Sequence, residues 1–109
     1  METLRRPIKT LSKPADIRIY TFSESSCHYV RNRQGEEVDF LISDRNTPRL
    51  LIEVKRSETQ PDPSLRKFQS LFQVPAVQLV DTKGVCRVLS NEDQRIMVVD
   101  AARYLANLP

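Results

Sequence analysis

The stretch DIRIYTF, residues 16–22, alternates apolar and polar positions with the period of two that marks a β-strand. SCHYVRN, residues 26–32, is the next strand candidate. It leads through RQG, where Gly35 suits a turn position with positive φ, into EEVDFLIS. DRNTP makes a second turn before RLLIEVK, so these segments predict an antiparallel three-strand meander, with the 16–22 strand at an edge of the sheet.

After the meander the period changes. In SETQPDPSLRKFQSLF, Leu65, Phe68 and Phe72 recur at helical spacing, Asp62 is a good N-cap and Pro63 fits the first helical position. AVQLVD reads as a short strand, TKG with Gly84 as a turn, VCRVL as extended and RIMVVD as the last strand. Asp100 can cap a final helix, AARYLANL, with Tyr104, Leu105 and Leu108 expected to face inward. The order of strands, helix, strands and helix predicts an α/β domain of α+β order on one mixed sheet.

Two of the strands carry an excess of charge. Val38, Phe40 and Ile42 are expected on one face of the first, with Glu37 and Asp39 on the other. In the second, Leu50, Ile52 and Val54 share a face, opposite Leu51, Glu53 and Lys55. Only 13 residues separate Asp39 from Glu53, so a hairpin would bring Asp39, Glu53 and Lys55 to one side, with the apolar sets on the other side against a helix. Two carboxylates roughly 4 Å apart at an effective dielectric of about 20 repel by about 4 kcal/mol. Protonation, water or a cation relieves that repulsion. A hard divalent ion held by Asp39, Glu53 and the carbonyl of Val54 is one solution, with Lys55 steadying developing negative charge and Glu37 in reach as a further or outer ligand. A wet hairpin face with cross-strand Glu–Lys and Asp–Arg pairs is the other. Spacing alone leaves both open.

Composition narrows the setting. The chain has 109 residues, 39% apolar and 28% charged, which suits one lean globular domain. No apolar run approaches a membrane span, and the basic start METLRRPIKTLSKP has no apolar core of a secretory signal. Residues 1–15 read as a basic, solvated arm, with an arm that contacts nucleic acid as the alternative, and residues 16–109 as the domain. Cys27 and Cys86 lie far apart, so two reduced thiols in a cytoplasmic protein are expected. His28 is the sole histidine, and with the two cysteines it is too few ligands for a structural zinc. As strand neighbours, Cys27 and His28 point to opposite faces, which also excludes a Cys–His nucleophile pair. Tyr20, Phe22 and Tyr29 are expected in the core. Arg66 and Lys67 are candidate phosphate contacts, with a solvated helix face as the alternative.

The segments GEEVDFLI and LIEVK resemble the core motif of the PD-(D/E)XK nuclease-like superfamily. The resemblance implies a restriction-endonuclease-like fold, a mixed central sheet with flanking helices. It also implies cleavage of DNA with Mg²⁺ or Mn²⁺, with Asp39 and Glu53 as metal ligands and Lys55 as the catalytic lysine. Val38 stands where the family name has proline. The chain looks closest to a nuclease-like domain of unknown function at the C-terminus of bacterial and archaeal AAA-type ATPases. Tyr29, Gly35, residues 37–40, 52–55 and 64–68, AVQLVD and IMVVDAARYLANLP carry that likeness from about Cys27 onward.

Two departures stand out. No amphipathic helix precedes Ser26, and no G-x-x-x-x-G-K-[ST] is present in a chain with two glycines. The expectation is therefore a stand-alone or truncated module, working with DNA, a second copy of itself or a separate ATPase subunit. A catalytically silent module that binds nucleic acid or protein is the alternative function. A structural oligomerisation domain, pairing through an exposed N-terminal strand, is the third.

Overall fold

The computed structural model describes residues 4–7, 17–22, 26–91 and 94–106. Among these residues, eight strands form one mixed sheet: β1 (Leu4–Pro7), β2 (Ile17–Phe22), β3 (Cys27–Asn32), β4 (Glu37–Asp44), β5 (Thr47–Lys55), β6 (Ala76–Val80), β7 (Cys86–Asn91) and β8 (Gln94–Asp100). Helix α1 (Pro63–Phe72) links β5 to β6, and α2 (Ala101–Ala106) follows β8. The strand order is β1-β2-β3-β4-β5-β6-β8-β7.

The predicted three-strand meander is present as β3, β4 and β5, and β2 extends it, antiparallel throughout. Part of the basic arm, Leu4–Pro7, adds β1 to it, so β2 has a neighbour on each side and is not an edge. The rest of the arm lies outside the described residues. Between β4 and β5 the chain turns in two residues, Arg45 and Asn46, at φ 52° and 65°. Positive φ at both positions gives the backbone twist that matches paired strands.

β6 pairs parallel with β5 and with β8. All five of its residues are buried, as a strand covered on both faces requires. Its side chains divide between two cores. Ala76 and Val80 join Leu51, Val38, Leu41, Leu65 and Phe68 beneath α1. Val77 and Leu79 join Val99, with Ile52, Met97 and Tyr104 packed against them beneath α2. Leu65 and Phe68 are fully buried, and full burial of such side chains contributes about 1.5–3 kcal/mol each. Asp62 caps α1 by accepting from the amides of Ser64 and Leu65, and Pro63 follows it as expected.

Two expectations about facing change. Helix α1 packs on the Leu51 and Glu53 face of β5, the face expected to be open, and the Ile52 face lies toward α2. In α2, Tyr104 does pack inward, but Leu105 is 56% exposed, and Leu108 lies outside the described residues. A helix of 6 residues has little more than one turn to present to the sheet, so with Tyr104 facing inward its neighbour Leu105 points away. No helix among the described residues is long and apolar enough to cross a membrane.

Candidate functional site

A β-bulge shapes the site. Val30 pairs with Val38 and His28 with Leu41, so the single residue Tyr29 of β3 faces two residues of β4, Asp39 and Phe40. A bulge re-aims side chains on the strand that carries it. Here it lets both Val38 and Leu41, three positions apart, reach the core under α1. It also separates Glu37 from Asp39. Glu37 accepts a hydrogen bond from the Tyr29 hydroxyl, whereas Asp39 turns to β5. The two acids therefore serve different neighbours, not one shared patch as strict alternation had implied.

On the β5 side the ladder runs from Asp44 opposite Thr47 to Phe40 opposite Ile52. Beyond it, side chains join the strands. The Asp39 amide donates to Glu53 Oε1 at 3.0 Å, and the Val54 amide donates to Asp39 Oδ2 at 2.9 Å. Each carboxylate thus gives one oxygen to the other strand's backbone. The second oxygen of Glu53, Oε2, lies 3.5 Å from Lys55 Nζ. Asp39, Glu53 and Lys55 are brought together as the sequence motif predicts. Val54 enters this cluster through its amide, and its side chain is 49% exposed.

Electrostatics set Glu53 apart. It is only 7% exposed, and burial pushes its pKa up to about 7. The Asp39 amide and the Lys55 charge oppose that rise, while the charges of Asp39 and Asp62 add to it. Glu53 is therefore a carboxylate whose ionised form lacks full compensation from its neighbours. The Lys55 ammonium is raised chiefly by its bond to Asp62, whose Oδ1 lies 3.0 Å away.

The remaining candidates fall elsewhere. Lys67 donates to Glu36 Oε1 at 2.7 Å, tying α1 to the β3–β4 turn, and holds the Glu36 carboxyl below its usual range. Arg66 is exposed on α1. His28 is buried at 2% exposure, with Nε2 2.7 Å from Ser43 Oγ and Nδ1 3.3 Å from Thr21 Oγ1. Cys27 and Cys86 are not joined in a disulfide. Tyr20 and Tyr29 are half-buried, with ring centroids 6.0 Å apart. Among the described residues, no group of three or more His, Cys, Asp or Glu is arranged to hold a metal ion.

Sequence reasoning missed two residues beside Lys55. Asp62 was read only as a helix cap, yet it holds the lysine as well. Gln78 was read only as part of a strand, yet it is fully buried beside Glu53 in register. The signal for Gln78 was present: it is the one polar residue in the otherwise apolar AVQLV.

A family model described as a domain of unknown function, DUF4143, matches residues 16–104. No curated protein and no solved structure matches the chain.

Proposed function

This chain belongs to the DUF4143 family, typically the C-terminal domain of AAA-type ATPases, and on that premise we propose that it carries a metal-dependent nuclease site of the PD-(D/E)XK type. The fold reading that goes with it is restriction-endonuclease-like, and the substrate class is DNA. The observation that carries the proposal is the reciprocal bonding of Asp39 and Glu53 across β4 and β5, with Lys55 against Glu53.

The donor chemistry fits a hard divalent cation. Two carboxylates lie side by side, and one of them, Glu53, ionises only against burial. A nearby positive charge would stabilise its ionised form. Asp39, Glu53 and the Val54 carbonyl would hold Mg²⁺ or Mn²⁺. Such an ion, when bound, polarises a phosphoryl oxygen and acidifies a water. The chain's own part is orientation. The Val54 amide fixes the Asp39 carboxylate, the Asp39 amide fixes that of Glu53, and Lys55 offers its ammonium to negative charge growing on the phosphoryl group.

One observation favours a second reading, a catalytically silent module for nucleic-acid or protein binding: the described residues offer no three-ligand group. The test is a cleavage assay on labelled single-stranded, duplex and branched DNA with Mg²⁺ or Mn²⁺. Cleavage that disappears with EDTA, with Lys55→Ala and with Asp39→Asn supports the nuclease. A folded wild-type chain that cuts none of these substrates overturns it and leaves the silent module, whose partner could then be sought with DNA and with an ATPase subunit.

A further inference from the structure

The loop between β5 and α1 is anchored from beneath by a buried side-chain amide. Gln78 lies on β6 in register with Glu53, between Ala76 and Val80, which both belong to the core under α1. Alternation therefore places Gln78 on the same face as Glu53 and Lys55. It is fully buried, and its side-chain bonds go to that loop. Its Oε1 accepts from the Asp62 amide at 2.8 Å, and its Nε2 donates to the carbonyls of Glu58 at 3.0 Å and Gln60 at 2.9 Å. An apolar residue would suit the surrounding core better, so the polar side chain has its use in holding the loop.

What the loop delivers is Asp62. Pro61 and Pro63 flank it, and its backbone is extended at φ −65° and ψ 133°, as a residue before proline prefers. One carboxylate oxygen, Oδ2, caps α1 through the amides of Ser64 and Leu65. The other, Oδ1, lies 3.0 Å from Lys55 Nζ. The lysine head group is thus held between Asp62 and Glu53.

We propose that Asp62 and Gln78 are positioning residues: Gln78 fixes the β5–α1 loop so that Asp62 holds the Lys55 ammonium beside Glu53. In catalysis this rests on the nuclease reading of Lys55. As a statement about where Lys55 sits, it stands by itself. A lysine has four rotatable bonds, and without a fixed counter-ion its ammonium would sample many positions. Holding it in place removes that freedom before substrate arrives.

Asp62→Asn is the informative variant, because asparagine caps a helix as well as aspartate but carries no charge for Lys55. Two readouts are taken on the whole chain. The first is the order parameter of the Lys55 ammonium from ¹⁵N relaxation, with the exposed Lys83 as internal reference. The second is kcat and KM for DNA cleavage. Wild type should show an ordered Lys55. In Asp62→Asn its order should fall toward that of Lys83, while the melting temperature hardly moves. Cleavage should drop roughly 10- to 100-fold in kcat with little change in KM, and Asp62→Glu should restore part of both. Gln78→Glu, which cannot donate to the Glu58 and Gln60 carbonyls in its ionised form, should show the same loss of order. An unchanged Lys55 order parameter in folded Asp62→Asn overturns the proposal, whatever the activity. If wild type cuts no DNA, the nuclease reading fails while the relaxation data still decide the positioning. An ordered Lys55 in folded Gln78→Glu, or in folded Gln78→Met should the first fail to fold, overturns the role of Gln78.

Discussion

Asp39 and Glu53 each close a hydrogen bond on the other's strand, Asp39 Oδ2 to the Val54 amide and Glu53 Oε1 to the Asp39 amide. The pair is therefore a rung of the sheet made from side chains. Its two halves should separate under mutation. Asp39→Ala removes the acceptor for Val54 and should cost about 1 kcal/mol in urea unfolding. Asp39→Asn keeps an acceptor oxygen and should cost less. Both should abolish Mn²⁺ binding measured calorimetrically. Equal Mn²⁺ affinity in wild type and Asp39→Asn would remove Asp39 from the ligand set.

Glu53 predicts a pH dependence of opposite sign to the common carboxylate case. Its folded pKa of about 7 exceeds its ordinary value, so the native state holds the proton more tightly than the unfolded chain. Stability from this group is complete below the ordinary carboxylate range and declines as pH rises to about 7. The size is on the order of 3 kcal/mol. Glu53→Gln should flatten that decline in denaturant titrations between pH 4.5 and 8. Protons should also compete with Mn²⁺, so wild-type affinity should fall as the solution is acidified through pH 7. A wild-type stability profile that matches Glu53→Gln at every pH would contradict the shift.

His28 acts in the other direction. Burial lowers its pKa, so the unfolded chain takes up the proton first. Its contribution is complete above the ordinary histidine value and is lost as pH falls below it. His28→Gln should be less stable than wild type at pH 8, by about 1–2 kcal/mol, because the bonds to Ser43 and Thr21 are disturbed. The gap should narrow toward pH 5. A constant gap across that range would show that the folded and unfolded chains take up the proton alike, so that burial does not shift His28.

Lys67 should matter little to DNA. Its ammonium is committed to Glu36 at an exposed site, where ion pairs contribute about 0–1 kcal/mol. Lys67→Ala should therefore shift stability by no more than that, and leave DNA affinity at 150 mM salt (roughly physiological) within about twofold. A large loss of DNA affinity would return Lys67 to the interface.

Much of the architecture could be read from local chemistry. The alternation of β2, the helical spacing of Leu65, Phe68 and Phe72, and the Asp62–Pro63 start each stand in their expected places. The motif likewise brought Asp39, Glu53 and Lys55 together. The bulge was not legible. Neither Asp39 nor Phe40 is a glycine or proline, and strict alternation through EVDFLIS hid the extra residue. The facing of α1 was hidden for a related reason. Leu51 is one apolar residue among charged neighbours in β5, and local counting favoured Leu50, Ile52 and Val54 as the core set. Only the tertiary pairing of Leu51 with Leu41 and with Ala76 shows which face the helix covers.

The parallel placement of β6 between β5 and β8 has a consequence for how the chain folds. The antiparallel strands β3 to β5 join neighbours through short turns, whereas β6 must wait for a helix to cross and for β8 to arrive from further along the chain. Closing those longer loops costs entropy before any contact repays it, which delays the late strands. The meander is thus the natural nucleus. Leu41→Ala, in the meander, should slow refolding in stopped-flow experiments, while Val98→Ala, in β8, should mainly speed unfolding. On a ribosome the first half could then assemble while β8 is still being made, leaving the edge of β5 briefly open to whatever chain lies nearest.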